Sequence, residues 1–292
     1  MRIYQYILII YLGSLLFESM GAGNAWAQRV TYSGSLQYAT GSYFFTESTK
    51  SIYFSNGLGI SGDAGRISMN IPFVIQNSPW ISYSPGGGIP TGGSQHGQVG
   101  SGGSNSSAMM QQDTMRQRRH RVEMPDPGSY RQAGFSDPSL YGSLYLYNAP
   151  LGYTSVSLNT SLKIPLANPE TGFGTGAWDA GGGISVFQRI RSFFLSGDVM
   201  YWYMGDMDEL DLKNPITVSV GVARTFRDGK WMASTSFFGS TGIVEDFDPP
   251  MSLGAGLGYF ISSRTSLNST ITFGLSESSP DVSFGIGWSV RL

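Results

Sequence analysis

Apolar and polar residues alternate with a period of two along most of the chain. In the last segment Val282, Phe284, Ile286, Trp288, Val290 and Leu292 share one parity, with Ser283, Gly285, Gly287 and Ser289 on the other. Successive strand side chains point to opposite faces, so this pattern predicts a strand with one greasy wall and one small polar wall. Segment 66–77 sets Ile67, Met69, Ile71, Phe73 and Ile75 against Ser68, Asn70 and Gln76. Segment 153–164 sets Val156, Leu158, Leu162 and Ile164 against Ser155, Ser157, Asn159 and Ser161. Twelve such segments can be read: 30–40, 49–61, 66–77, 138–148, 153–164, 177–189, 192–205, 215–226, 231–241, 251–261, 265–275 and 281–292. All exceed the average soluble strand of about 5–6 residues. They are long enough to cross a bilayer at a tilt, which takes about 9–11.

The gaps alternate in size. Gly62–Gly65, Ala149–Gly152, Ile190–Arg191, Arg227–Lys230 and Ser262–Arg264 are tight; 41–48, 78–137, 165–176, 206–214, 242–250 and 276–280 are longer. Short turns at one end and long loops at the other are the pattern of an up-and-down antiparallel transmembrane β-barrel, and an even strand number leaves both termini at the short-turn end. The rival is a secreted β-sandwich, which also has one apolar and one polar face. The content of the polar face separates the two, because a water-facing sheet would carry many Lys and Glu. The twelve windows hold nine charges: Lys50, Arg66, Lys163, Asp179, Arg189, Asp198, Arg224, Asp281 and Arg291. Two segments fit less cleanly. Asn56 falls on the lipid parity of 49–61. In 138–148 the chosen parity puts Leu140, Leu144 and Leu146 outside, with Tyr141, Tyr145 and Tyr147 inside.

Composition sharpens this reading. Charged residues are 13% of the 292, about half the usual share, and there are 40 glycines. Lys+Arg of 18 against Asp+Glu of 20 gives a net charge of −2, without the positive field that nucleic-acid binding needs. Zero cysteines exclude disulfides, thiolate metal sites and cysteine nucleophiles. The N-terminus reads as an export signal: Arg2, an apolar run from Tyr6 to Phe17, and Ala25-Trp26-Ala27 as a cleavage site. The expected division is a signal peptide over 1–27 and a barrel over 28–292, with 78–137 as a long extracellular loop. No later apolar run is long enough for a spanning helix. A chain that crosses a membrane without one must close a barrel.

Several short words resemble the outer-membrane barrel family named for the meta-pathway of phenol degradation. They are Tyr38-Ala39-Thr40-Gly41-Ser42-Tyr43; Gly134-Phe135-Ser136-Asp137; Lys163-Ile164-Pro165 with Gly172-Phe173-Gly174-Thr175-Gly176 and Asp179; and Gly274-Leu275-Ser276 with Ser279-Pro280-Asp281. Leu166-Ala167-Asn168 departs from the family's pattern, which has an acidic residue there. The resemblance implies a conduit across the outer membrane for small aromatic or apolar molecules.

Candidate pore residues follow from lumen parity. Lys163 and Asp179 lie near the outer mouth on neighbouring strands. They make either a charged constriction or, more plainly, an ion pair holding the hairpin in register. Asp198 sits mid-strand, Arg66 near the inner end of its strand, and Asp281 and Trp202 also share the lumen parity. Gly172, Gly174 and Gly176 lack the spacing and following helix of a phosphate loop and read as a tight outer loop. In loop 78–137 the Gly/Ser-rich first half reads as mobile. The second half carries Arg116, Arg118, Arg119 and Arg121, which suit a gate folded over the passage, a contact with lipopolysaccharide phosphates or, more plainly, a solvated and disordered surface loop. Trp80, Tyr83, Trp202, Tyr203, Trp231, Tyr259 and Trp288 are candidates for interfacial belts, Trp202 alternatively for the pore.

An enzyme is not expected. The only histidines, His96 and His120, both lie in the long loop, away from any rigid strand face that could hold a Ser-His pair. The expected function is passive passage of small aromatic or apolar solutes. The alternative is a structural or adhesive barrel whose long loop contacts a partner or lipopolysaccharide. Expected partners are outer-membrane lipids, lipopolysaccharide, a small solute and, as an open possibility, further copies of the chain; no cofactor is expected.

Overall fold

The computed structural model describes residues 29–84, 87–93, 97, 99, 131–207 and 210–292. The expected signal peptide therefore lies outside the described residues, as do Arg116, Arg118, Arg119 and Arg121. In chain order the strands are β1 (Arg29–Gly41), β2 (Thr49–Ser61), β3 (Gly65–Gln76), β4 (Ile81–Ser84), β5 (Gly87–Pro90), β6 (Gln132–Phe135), β7 (Ser139–Asn148), β8 (Thr154–Lys163), β9 (Asp179–Ile190), β10 (Phe193–Tyr203), β11 (Ile216–Phe226), β12 (Trp231–Ser240), β13 (Met251–Phe260), β14 (Thr265–Gly274) and β15 (Val282–Arg291).

One antiparallel sheet of thirteen strands runs in sequence order and closes on itself, since β1 pairs with both β2 and β15, and β2 with β3. Strands β6 and β7 both pair with β3, along Phe73–Gln76 and Gly65–Asn70. They form one stave broken at residues 136–138, which makes twelve staves. The wall resumes at Gln132, earlier than the alternation indicates, because residues 136–138 interrupt the pattern. Both edges of every stave are paired except along β6, which pairs with β3 alone; a wall closed in this way meets the demand that backbone groups facing lipid be paired within the sheet. Among the described residues no helix is long and apolar enough to cross a membrane.

Exposed apolar side chains occupy the outward parity all round the wall, among them Leu58, Ile184, Val199, Val220, Leu253, Ile271, Phe284 and Ile286, each between 37% and 57% exposed. In water such a coat would be strongly unfavourable; against acyl chains it is the matched surface. Asn56 does face outward, opposite Gly34 and Ile71. Its polarity is met on that face by the Tyr32 hydroxyl, which donates to Asn56 Oδ1 at 2.7 Å. The β7 reading needs one correction. A bulge between Tyr145 and Tyr147 brings Tyr147 opposite the outward Val156 at 56% exposure, so Tyr147 faces out rather than into the lumen.

The core lies inside the bore at the loop end. Tyr43, Phe44, Phe45, Trp80, Ile81, Ile89, Val99, Met200, Trp202, Met204, Met207, Leu210, Leu212, Ile243 and Val244 form one buried apolar cluster, with Phe247 packed on it. Phe44 stacks on Phe247 at 3.7 Å, and Phe45 tilts against Trp80 at 5.6 Å. Burial pushes the Tyr43 phenol well above its ordinary pKa and keeps it neutral.

Candidate functional site

The loop end holds a folded-in segment. After β3 the chain turns at Pro79, and β4 and β5 pair as a small hairpin, Ile81 opposite Pro90 and Ser84 opposite Gly87. Its described side chains are enclosed: Ile81, Ser82, Ser84, Ile89 and Thr91 are all 2% exposed or less. The Gly/Ser-rich first half of the loop, read from composition as mobile, is therefore in part a buried element. Composition misled because Ile81 and Ile89, spaced among glycines, have an apolar cluster to enter. Trp80 leaves the list of belt candidates for the same reason, being 2% exposed in that cluster.

A buried charged clasp holds the hairpin. Lys163 Nζ lies 2.7 Å from Asp179 Oδ2 and 3.7 Å from Asp137 Oδ2, all three side chains fully buried. Lys163 Nζ also donates to Thr175 Oγ1. Ser84 Oγ, on the hairpin, donates to Asp179 Oδ2 at 3.0 Å, and Gly205 N donates to Asp179 Oδ1 at 3.2 Å. Asp137 Oδ1 accepts from the Leu166 and Ala167 amides, both at 2.8 Å. One lysine thus ties together the ends of β8 and β9, the break in the fourth stave and, through Asp179, the hairpin. A buried pair that lost its cation would leave carboxylates stranded in a dry place. The strand-end parity brings Lys163 and Asp179 together as expected. Asp137 and Ser84 were missed as partners, although Asp137 ends one of the resemblance words.

The glycine-rich stretch fits around this clasp. Gly172 has φ +70, and a Cβ there would meet the Pro79 carbonyl. Gly174 packs directly on the Asp137 carboxylate. Phe173 between them enters a second buried cluster with Ala39, Tyr53 and Val74, lying over Gly134, and Ser136 Oγ donates to its carbonyl.

Trp202 points inward and is 5% exposed; its Nε1 donates to Thr217 Oγ1 at 3.0 Å, and its ring covers Gly181. It belongs to the apolar cluster, not to a belt. Asp281 does not join the clasp: it is exposed at the loop-end rim, beside Gly41. Arg66 lies at the turn end of β3, its guanidinium over Gly59. Asp198 is half-buried in the lumen and accepts from Asn159 Nδ2 at 3.3 Å. Among the described residues no ion pair joins Arg66 to Asp198, although Tyr141 lies within electrostatic reach of both. Beneath the plug, towards the turn end, a cavity of about 290 Å³ is lined by Ser185, Phe187, Ser196, Asp198, Ser219 and Ser236, with Val186, Gly197, Val220 and Gly221 completing it.

Comparison with known proteins bears on this arrangement. The family model described as "Putative MetA-pathway of phenol degradation" matches residues 22–292. No curated protein matches. Among solved structures, an outer membrane channel from Pseudomonas putida F1 is 10% identical at a TM-score of 0.59, covering 93% of this chain and 97% of that one. That likeness is one of fold, the closed outer-membrane barrel. The P. putida toluene transporter TodX is 11% identical at a TM-score of 0.41, covering 91% of this chain and 90% of its own.

Proposed function

The chain belongs to that phenol-degradation family, and on this premise we propose that it is a passive channel of the outer membrane for small apolar or aromatic solutes. The observation that carries the reading is a solute-sized cavity inside a sealed wall, beneath an apolar plug. A wall greasy outside and hydroxyl-lined inside favours a bilayer around it and a bore within it. The plug is made mainly of aromatic, Met and aliphatic side chains, so the first surface a solute meets when the hairpin shifts is apolar. Export on residues 1–27 brings the chain to its membrane. The protein carries out no bond chemistry in this reading, and solute moves down its gradient.

Purified protein in liposomes, offered a panel of small aromatics and sugars, tests the proposal. Flux of the aromatics above that of sugars of equal size is the expected result. No flux of any solute, with the hairpin present or deleted, overturns it and favours the adhesive alternative, in which the long loop binds a partner or lipopolysaccharide.

A further inference from the structure

The turn-end mouth of the bore holds a group of cations that no carboxylate among the described residues pairs with. Arg29 on β1 lies opposite Ser61, and Ser61 lies opposite Arg66 on β3. Arg291 on β15 lies opposite Thr31, and Thr31 lies opposite Gly59. Gly59 and Ser61 take the parity opposite to the outward Leu58, so the three arginines share the inward face. The Arg66 guanidinium accordingly lies over Gly59. Two strand spacings, about 10 Å, separate Arg29 from Arg66 and Arg291 from Gly59, which gathers three positive charges around one patch of wall. Arg189 on β9 adds a fourth on the other side of the bore, its guanidinium over the Phe194 ring at 5.5 Å. All four are exposed, and the ion pairs among the described residues lie elsewhere, at Lys163 and Lys213. Asp63, on the turn between β2 and β3, makes none with them. Asp198 stands deeper in the bore, lining the cavity.

We infer that Arg29, Arg66 and Arg291 form a collecting site for small organic anions, carboxylates above all, at the periplasmic mouth of the bore. Like charges set close on one face of a sheet repel each other, so the group is destabilising until an anion joins it. A mouth lined with one sign of charge between low-dielectric walls focuses its field and concentrates ions of the other sign. Guanidinium groups match a carboxylate with two parallel hydrogen bonds, which favours it over a bare spherical anion. Parity separates this group from a cation of the lipid boundary: Arg224 takes the outward face, its guanidinium over the outward Phe193 ring at 5.2 Å. The site rests on the channel reading for its place on a solute's route. It adds a charge preference that an apolar plug and a hydroxyl-lined cavity do not supply.

The chain has no cysteine, so Ser61→Cys places a single thiol between Arg29 and Arg66. The experiment compares its modification by an anionic sulfonatoethyl thiosulfonate and a cationic trimethylammonioethyl thiosulfonate, in the detergent-solubilised full chain. Each rate is divided by that of free mercaptoethanol. The anionic reagent should gain several-fold over the cationic one. Raising salt to about 1 M, where the Debye length falls to about 3 Å, should erase most of that gain. Arg66→Gln and Arg291→Gln should each reduce it, and succinate should protect the thiol from the anionic reagent better than chloride at equal ionic strength. A thiol at Ser196→Cys, in the cavity with Asp198, should show less of the preference. Retained heat-modifiable migration on gels checks that each variant is still a barrel. Equal relative rates at Ser61→Cys, a thiol there that neither reagent reaches, a preference untouched by both arginine variants, or one as strong at Ser196→Cys overturns the site. Protection by succinate no better than by chloride overturns its assignment to carboxylates. The readout needs no flux: flux of aromatics without the preference leaves the channel standing, and the preference without flux of any solute leaves the site standing and overturns the channel reading instead.

Discussion

Lys163 is the residue on which the loop end depends most. Its ammonium sits between Asp179 and Asp137 with no solvent to replace it. Lys163→Met keeps most of the volume and strands two buried carboxylates, so it should destabilise the loop end by about 3–5 kcal/mol. The check is the urea midpoint of the purified barrel, together with protease sensitivity of the 78–137 loop. A double variant, Lys163→Met with Asp179→Leu, removes the stranded charge at Asp179 and should recover part of the loss; a double variant worse than the single would remove desolvation as the cause. The Lys163–Asp179 half of the clasp is legible in the sequence because both residues share the lumen parity at the ends of consecutive strands. The other half is not, since Asp137 and Ser84 arrive from a loop, where no periodicity says which way a side chain points.

At the level of elements, the resemblance words turn out to be fasteners between segments. Gly134 makes room for Phe173, Gly174 for the Asp137 carboxylate, Gly172 for Pro79, and Gly41 for Pro280 and Asp281. In this chain they bring backbone segments close together at the loop end, and they lie outside the cavity around Asp198. Gly172→Ala should therefore act on plug docking, costing about 1–2 kcal/mol for the left-handed backbone alone and more for the contact with Pro79. Faster cleavage of the loop by protease, with the barrel intact, is the expected result. The hairpin was hidden in the sequence by its glycines, because two short apolar positions among them carry no strand signal until the cluster beneath is known. Deleting residues 81–90 removes Ile81 and Ile89 from that cluster and should raise single-channel conductance several-fold, since the diameter of a twelve-stave bore exceeds that of an eight-stave barrel that its side chains just fill. Unchanged conductance would show that other loops, not the hairpin, close the mouth.

For the whole molecule, stability and location rest on the same parity rule, which is why the wall was almost fully legible: a closed sheet spanning lipid leaves each residue only two environments, and the side-chain period of two sorts them. What parity cannot report is which loops enter the bore, because that depends on contacts between segments far apart in the chain. The rule itself can be tested at adjacent positions of β14, where Thr270 faces inward opposite Gly256 and Gly285, and Ile271 faces outward opposite Ala255 and Phe284. The two share backbone surroundings, strand and depth, and differ only in the face they present. Ile271→Arg places a guanidinium among acyl chains near the middle of the wall and should cost about 2–4 kcal/mol. Thr270→Arg places the same group in the bore, where water and hydroxyls receive it, and should cost far less. Folding into liposomes, followed by gel mobility and denaturant titration, measures both. Comparable penalties at the two positions would mean that both faces of the wall see the same medium, and a wall with water on both sides could not be a membrane barrel.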